Sequence, residues 1–161
     1  MARQLIAMQQ RFHIHWILID ELAIGPAPRA ERHVLRLKKA QVGSILSLCS
    51  EEEAPPPPSL EQHFACRRIV LPDHRSGRLP DRSELRDALA LLLQLHQQKA
   101  PVFVHCVAAM ERSPLVCLAW LVERHELSPE AALDYLMQVH PGTNPLPGQQ
   151  ALLRSHQSGA S

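Results

Sequence analysis

No apolar run in this chain of 161 residues approaches the roughly 20 residues that a bilayer-spanning helix needs; Ala88 to Leu93 is a representative short one. The start, Met1 to Phe12, has too few consecutive apolar residues for a secretory signal peptide. A cytoplasmic protein is therefore expected. Net charge is only +1, so no global basic field points to nucleic acid or to an acidic membrane. The four cysteines, Cys49, Cys66, Cys106 and Cys117, form no C-x-x-C pair and show no zinc spacing. They are expected to be thiols in a reducing compartment. Ten histidines are present without an H-x-x-x-H or H-E-x-x-H pattern, so no metal site is expected. No internal repeat is visible.

What remains is an ordinary globular composition, 45% hydrophobic and 20% charged, at a length that fits one domain with a sizeable core. The domain is expected over residues 12–156, with 1–11 and 157–161 as flexible ends. Phe12 to Ile19 reads as a first strand or strand pair, and Leu22 to Pro26 as a short strand closed by a Gly-Pro turn. Arg29 to Gln41 has helical apolar spacing, and Ser44 to Cys49 reads as a buried strand. Ser50 to Pro58, SEEEAPPPP, can continue neither helix nor sheet and reads as a solvated surface connection. Ser59 to Phe64 suggests a helical turn, and Arg67 to Leu71 a strand.

Pro72 to Pro80 is a polar loop. Asp81 to Gln98 follows as a long helix with Leu85, Ala88, Leu89, Leu92, Leu93 and His96 on one face. Val102 to His105 is a strand, and a helix runs from Pro114 to Arg124. Ser128-Pro129-Glu130 opens the next helix as cap and first two positions, ending near Val139; Gln149 to Ser155 is a short last one. Strands separated by helices predict a single α/β domain, a mostly parallel central sheet flanked by helices on both faces. Ligands of such sheets sit at the carboxyl ends of strands.

Two strand ends carry chemistry. After Val102-Phe103-Val104 come His105 and Cys106, then Arg112, Ser113 and Pro114 at the start of a helix. A turned loop above a helix N-terminus is an anion site. An arginine adds a planar fork matched to phosphate oxygens. A cysteine facing that positive field is stabilised as thiolate, the attacking form. The loop reads as a phosphate cradle with a nucleophile in its floor.

His105-Cys106-x5-Arg112-Ser113 resembles the signature loop of the protein tyrosine phosphatase superfamily, and its surroundings those of the small dual-specificity phosphatases. Leu71-Pro72-Asp73-His74, 33 residues before Cys106, resembles the family's general-acid loop. The resemblance implies the cysteine-dependent phosphatase fold, no cofactor or metal, and a two-step phosphomonoester hydrolysis. In it Cys106 forms a phosphocysteine, Arg112 binds the phosphate, and Asp73 serves as acid and then base. Ser113 stabilises the leaving thiolate, and His105 supports the loop from behind. Val107, Ala108, Ala109, Met110 and Glu111 would bind phosphate through backbone N–H groups.

Asp81 is the competing acid, but it follows Pro80 and precedes a helix, so it reads as an N-cap. None of the loop residues before the arginine is basic. Relatives acting on inositol phospholipids often carry lysines there, so the expected substrate is a protein bearing phosphoserine, phosphothreonine or phosphotyrosine. No nucleic-acid or membrane partner is expected, and the chain is expected to be a monomer. Family glycine at the third position after the cysteine is replaced by Ala109, which costs roughly 1 kcal/mol if φ there is positive. Glu111 places negative charge beside the anion site. These two residues leave a phosphate-binding pseudophosphatase as the alternative; a rhodanese-like sulfur transferase is a third. Asn144 and Gln149 lie where the family places a loop that touches the phosphate loop from behind. Cys49, at a strand end, reads as a core thiol, or as a redox partner for Cys106 on the family resemblance.

Overall fold

The computed structural model describes residues 11–144 and 146–159. Five strands form one sheet in the order β1-β2-β5-β3-β4: β1 (His15–Leu18), β2 (Leu22–Gly25), β3 (Ser44–Ser47), β4 (Ala65–Arg68) and β5 (Val102–His105). Only β1 runs antiparallel to its neighbour; all other pairs are parallel. Among the described residues six α-helices connect and cover them: α1 (Glu31–Lys39), α2 (Leu60–His63), α3 (Arg82–Lys99), α4 (Arg112–Arg124), α5 (Pro129–Val139) and α6 (Gln149–Gly159). The mostly parallel α/β domain expected from the sequence is the one observed.

Strand alternation divides the core. Ala23, Ile45 and Phe103 pack with Val34 and Leu37 of α1 and with Phe12 and Phe64. Leu22, Ile24, Leu46, Val102 and Val104 face the other way, onto α3 and α4, with α5 and α6 behind. Every residue of α4 from Arg112 to Val122 is buried. A helix apolar all round belongs in the interior, and this one aims its N-terminus at the end of β5.

Several features differ from the sequence expectation. The strand expected at Arg67–Leu71 lies at Ala65–Arg68, because β3 starts at Ser44 and pairs Ser44 with Ala65. The chain stays beside β3 beyond Arg68, through Ile69 N–H to Ser47 O (3.0 Å) and Leu71 N–H to Leu48 O (3.1 Å). This keeps Pro72 and Asp73 at the sheet's carboxyl end. On α3 the buried face is Leu85, Ala88, Leu89, Leu92 and Leu95; Leu93 and His96 are only partly buried. His96 lies at the helix edge, its ring edge-on to Trp120. Finally, α6 runs to Gly159 rather than Ser155. Of the flexible ends expected at 1–11 and 157–161, residues 1–10 and 160–161 lie outside the described residues, and 157–159 continue α6. Among the described residues no helix is long and apolar enough to cross a membrane.

Candidate active site

Cys106 follows directly on β5, and the loop over residues 107–111 returns the chain to α4. Three loop carbonyls are held from outside. Ala27 N–H donates to Val107 O (3.0 Å), His140 Nε2–H to Ala109 O (2.6 Å) and Asn144 N–H to Met110 O (2.9 Å). In a planar trans peptide the next N–H points opposite to its carbonyl. The loop therefore turns its N–H groups toward the cleft, the nest that anions occupy. Ala109 is fully buried with φ +60°, the left-handed conformation that glycine adopts at no cost.

Cys106 is 3% exposed, and its Sγ lies 3.2 Å from the Ser113 hydroxyl. Beneath it His105 is buried. Its Nδ1–H donates to Cys106 O (2.9 Å), so its Nε2 accepts from the Ser47 hydroxyl (2.7 Å). Burial pushes the His105 pKa down to about 4, so the ring is neutral.

Arg112 is 5% exposed and fixed by a carboxylate. Its Nη1 and Nη2 donate to Glu53 Oε2 (3.2 Å) and Oε1 (3.0 Å), and Nη1 also faces the carbonyls of Leu48 (3.5 Å) and Leu71 (3.3 Å). Among the described residues nothing accepts from Nε–H, so the Nε/Nη2 edge is left for two oxygens of a ligand. Burial tends to raise the Glu53 pKa, but the hydrogen bonds from Arg112 and from Ser50 outweigh it and hold Glu53 as carboxylate.

Asp73 enters the same cleft from the end of the β4 segment. Arg75 donates to it twice, through Nε to Oδ2 (2.8 Å) and through its backbone N–H to Oδ1 (3.0 Å). The Arg75 side-chain bond is the main cause of a lowered Asp73 pKa; Asp73 Oδ2 also lies 3.9 Å from Arg112. Glu111 turns aside from the anion site: its carboxylate takes His74 N–H (3.1 Å) and His74 Nδ1 (2.9 Å). The cleft, about 290 Å³, is lined by Cys106, Arg112 and Asp73, by Glu53, His74, Arg75 and Glu111, and by an apolar rim of Val107, Ala108 and Met110.

Most sequence-predicted residues are thus brought together. Asp81 is not among them: it caps α3, its carboxylate accepting Glu84 N–H at 2.8 Å. Ala109 contributes backbone only and does not line the cleft. Gln149 is buried and accepts from Leu146 N–H (3.3 Å), but the contact with the phosphate loop is made by Asn144. Cys49 is buried and free, its pKa raised first by burial, with Arg112 drawing it down and Cys106 adding to the rise.

Glu53 corrects the view of SEEEAPPPP as a solvated connection, since its carboxylate reaches the cleft floor. No linear pattern marks it. The signal is electrostatic: a buried arginine needs a counter-charge when no ligand is bound. Ser47, Arg75 and His140 were equally invisible, because each acts through a contact remote in sequence or outside the motif.

A mostly parallel sheet with a cysteine loop between strand end and buried helix, an arginine closing that loop and an aspartate beyond the end of β4 define the cysteine-dependent phosphatase class. Within it, the chain belongs to the family described as dual specificity phosphatase, catalytic domain, whose match covers residues 30–158. Phosphatidylglycerophosphate phosphatase PTPMT2 of Arabidopsis thaliana is 26% identical over 138 residues, 86% of this chain and 60% of that protein. Phosphatidylglycerophosphate phosphatase PTPMT1 of the same plant is 23% identical over 78% of this chain and 37% of its own length. The chain therefore spans 60% and 37% of these relatives' lengths.

Among solved structures, PTPMT1 in complex with PI(5)P superposes with a TM-score of 0.79 at 19% identity, covering 91% of this chain and 96% of that one. The human tyrosine phosphatase-like serine/threonine/tyrosine-interacting protein gives 0.78 at 20%, covering 92% and 97%. At such identities the likeness is one of fold.

Proposed function

We propose that this protein hydrolyses phosphomonoesters through a phosphocysteine at Cys106, and that its substrate is a glycerophospholipid bearing a terminal phosphate, of the phosphatidylglycerophosphate kind. The observation that carries the reaction is the convergence of Cys106, Arg112 and Asp73 on one cleft. The sulfur attacks phosphorus in line while the loop N–H groups and the free edge of Arg112 take the non-bridging oxygens. Asp73 gives its proton to the departing oxygen. The same carboxylate then takes a proton from water, which displaces phosphate from sulfur. The Ser113 hydroxyl, at 3.2 Å, stabilises the released thiolate. Glu53 orients Arg112 rather than competing with the substrate, since it uses only the Nη1/Nη2 edge. No step calls for a metal or cofactor, because the charge is met by arginine and backbone dipoles.

The lipid assignment is supported by the activity named for both plant relatives. The apolar rim of Val107, Ala108 and Met110 suits the acyl-bearing part of a lipid. Absence of lysine from the loop argues against polyphosphorylated inositol lipids, but a single terminal phosphate needs only Arg112 and the loop. The second reading is a phosphoprotein substrate, favoured by the same lysine-free loop and by the family as a whole.

The test is turnover of an aryl phosphate by wild type, Cys106→Ser and Asp73→Asn, followed by phosphatidylglycerophosphate in mixed micelles against a phosphopeptide panel. Cys106→Ser should be inactive, and Asp73→Asn should lose about 10²-fold or more. Faster turnover of phosphopeptides than of lipid would replace the substrate assignment. Tight phosphate binding without turnover by wild type would replace the enzyme with a pseudophosphatase.

A further inference from the structure

Behind the phosphate loop three histidines meet from distant parts of the chain: His13 ahead of β1, His15 within it, and His140 at the C-cap of α5. One ring nitrogen from each lies within 4.8 Å of the others. Their hydrogen bonds fix the tautomers. His13 Nδ1–H donates to Arg11 O (3.0 Å), so the lone pair is on Nε2, which is buried without a partner. His140 Nε2–H donates to Ala109 O (2.6 Å), so its lone pair is on Nδ1, 2.7 Å from His15 Nδ1. Two rings thus aim lone pairs into the cluster while their far nitrogens are anchored on backbone carbonyls. Metal-ligating imidazoles are anchored in this way.

The frame is stiff. A Cβ on Gly25 would meet His13 O at 2.2 Å, so β2 packs directly under the His13 backbone. The Tyr135 hydroxyl donates to Ile17 O and ties α5 to β1. Beside the rings a cavity of about 340 Å³, bounded also by Ala108, Met110 and Gly142, leaves room for a further ligand such as water.

We propose that His13, His15 and His140 bind one divalent cation of the zinc class, and that the bound ion braces the phosphate loop through His140. Three imidazoles with an open fourth position suit zinc, at about 2.0–2.1 Å per Zn–N bond. A tetrahedral ion at that distance sets ligand nitrogens about 3.3 Å apart. The His15–His140 pair therefore opens slightly as His15 moves its proton from Nδ1 to Nε2, with no net proton lost. Ligation at Nδ1 fixes the His140 ring and strengthens its Nε2–H donation to Ala109 O, the carbonyl of the loop's left-handed residue. A scan for helical histidine spacing misses the site, because His13 and His15 share one side of an extended segment and the third ligand is 125 residues from His15. The proposed site departs from the expectation of no metal, and it does not rest on the phosphatase reading.

The test uses the Cys106→Ser protein, which removes the reactive thiolate as a competing ligand, titrated with Zn²⁺ against a chromophoric chelator. One equivalent should bind at micromolar protein, and His13→Gln and His15→Gln should each weaken binding about 100-fold. Co²⁺ in the same parent protein should give the visible bands of a four- or five-coordinate nitrogen site, a readout that needs no histidine variant to fold. Absence of those bands, or zinc affinity unchanged in both variants, would overturn the site. Zinc should also slow amide exchange at Asn144, whose N–H holds Met110 O, by several-fold; an unchanged rate would overturn the bracing.

Discussion

Ala109 concentrates the strain of the phosphate loop in one residue. Its φ of +60° costs an L-residue roughly 1–2 kcal/mol, part of which glycine would forfeit to a more flexible unfolded chain. Ala109→Gly should therefore stabilise the fold by about 1 kcal/mol, raising Tm by about 2–4 °C. Phosphate affinity or turnover should rise with it; a lower Tm would show that the buried methyl contributes more packing than it costs in strain. The proton on Asp73 is decided nearby. The Arg75 hydrogen bond holds its pKa low, and a general acid works only below its pKa, so the rate of leaving-group protonation should fall as pH rises through that low value. Arg75→Ala removes the bond and should move the alkaline limb of kcat/KM to higher pH. A limb that stays in place would separate Asp73 from the profile.

Among elements, the two loops that carry chemistry are joined by one side chain. Glu111 accepts both His74 N–H and His74 Nδ1, so the residue next to Asp73 is hooked to the phosphate loop. Glu111→Ala should lower turnover, and more so for alkyl phosphates than for nitrophenyl phosphate, whose leaving group needs little protonation. Equal losses for both would assign Glu111 to binding alone. Element boundaries were legible where local chemistry is strong: the Asp81 cap, the Ser128-Pro129 start and the whole of β5. They were not legible for β4, where the apolar Ile69-Val70-Leu71 outweighed Ala65-Cys66-Arg67-Arg68. There the pairing with β3, Ser44 opposite Ala65 through Ser47 opposite Arg68, decides which residues form the strand.

For the molecule as a whole, Cys106, Arg112, Ser113 and Asp73 could be located because a short motif and a strand end place them. Glu53, Ser47 and His140 could not, since tertiary packing alone brings them in from 59, 58 and 31 residues away from Arg112, His105 and Ala109, which they contact. The neutral His105–Ser47 pair also links the site to stability. The His105 pKa falls from its ordinary 6.5 to about 4 on burial, so the unfolded chain takes up a proton that the folded one refuses. That stability is fully present above pH 6.5 and is lost as pH falls toward 4. Thermal melts should show Tm declining across this window, with a shallower decline in His105→Gln; parallel slopes would place the effect elsewhere.

The most direct test of the account is rapid acid quench of Ser113→Ala protein during aryl phosphate turnover, followed by mass spectrometry of the peptide containing Cys106. Slowed release of the thiolate should let a phosphoryl group accumulate on that cysteine, and none should form in Cys106→Ser. Turnover with no phosphorylated cysteine at any quench time, or full activity in Cys106→Ser, would contradict it.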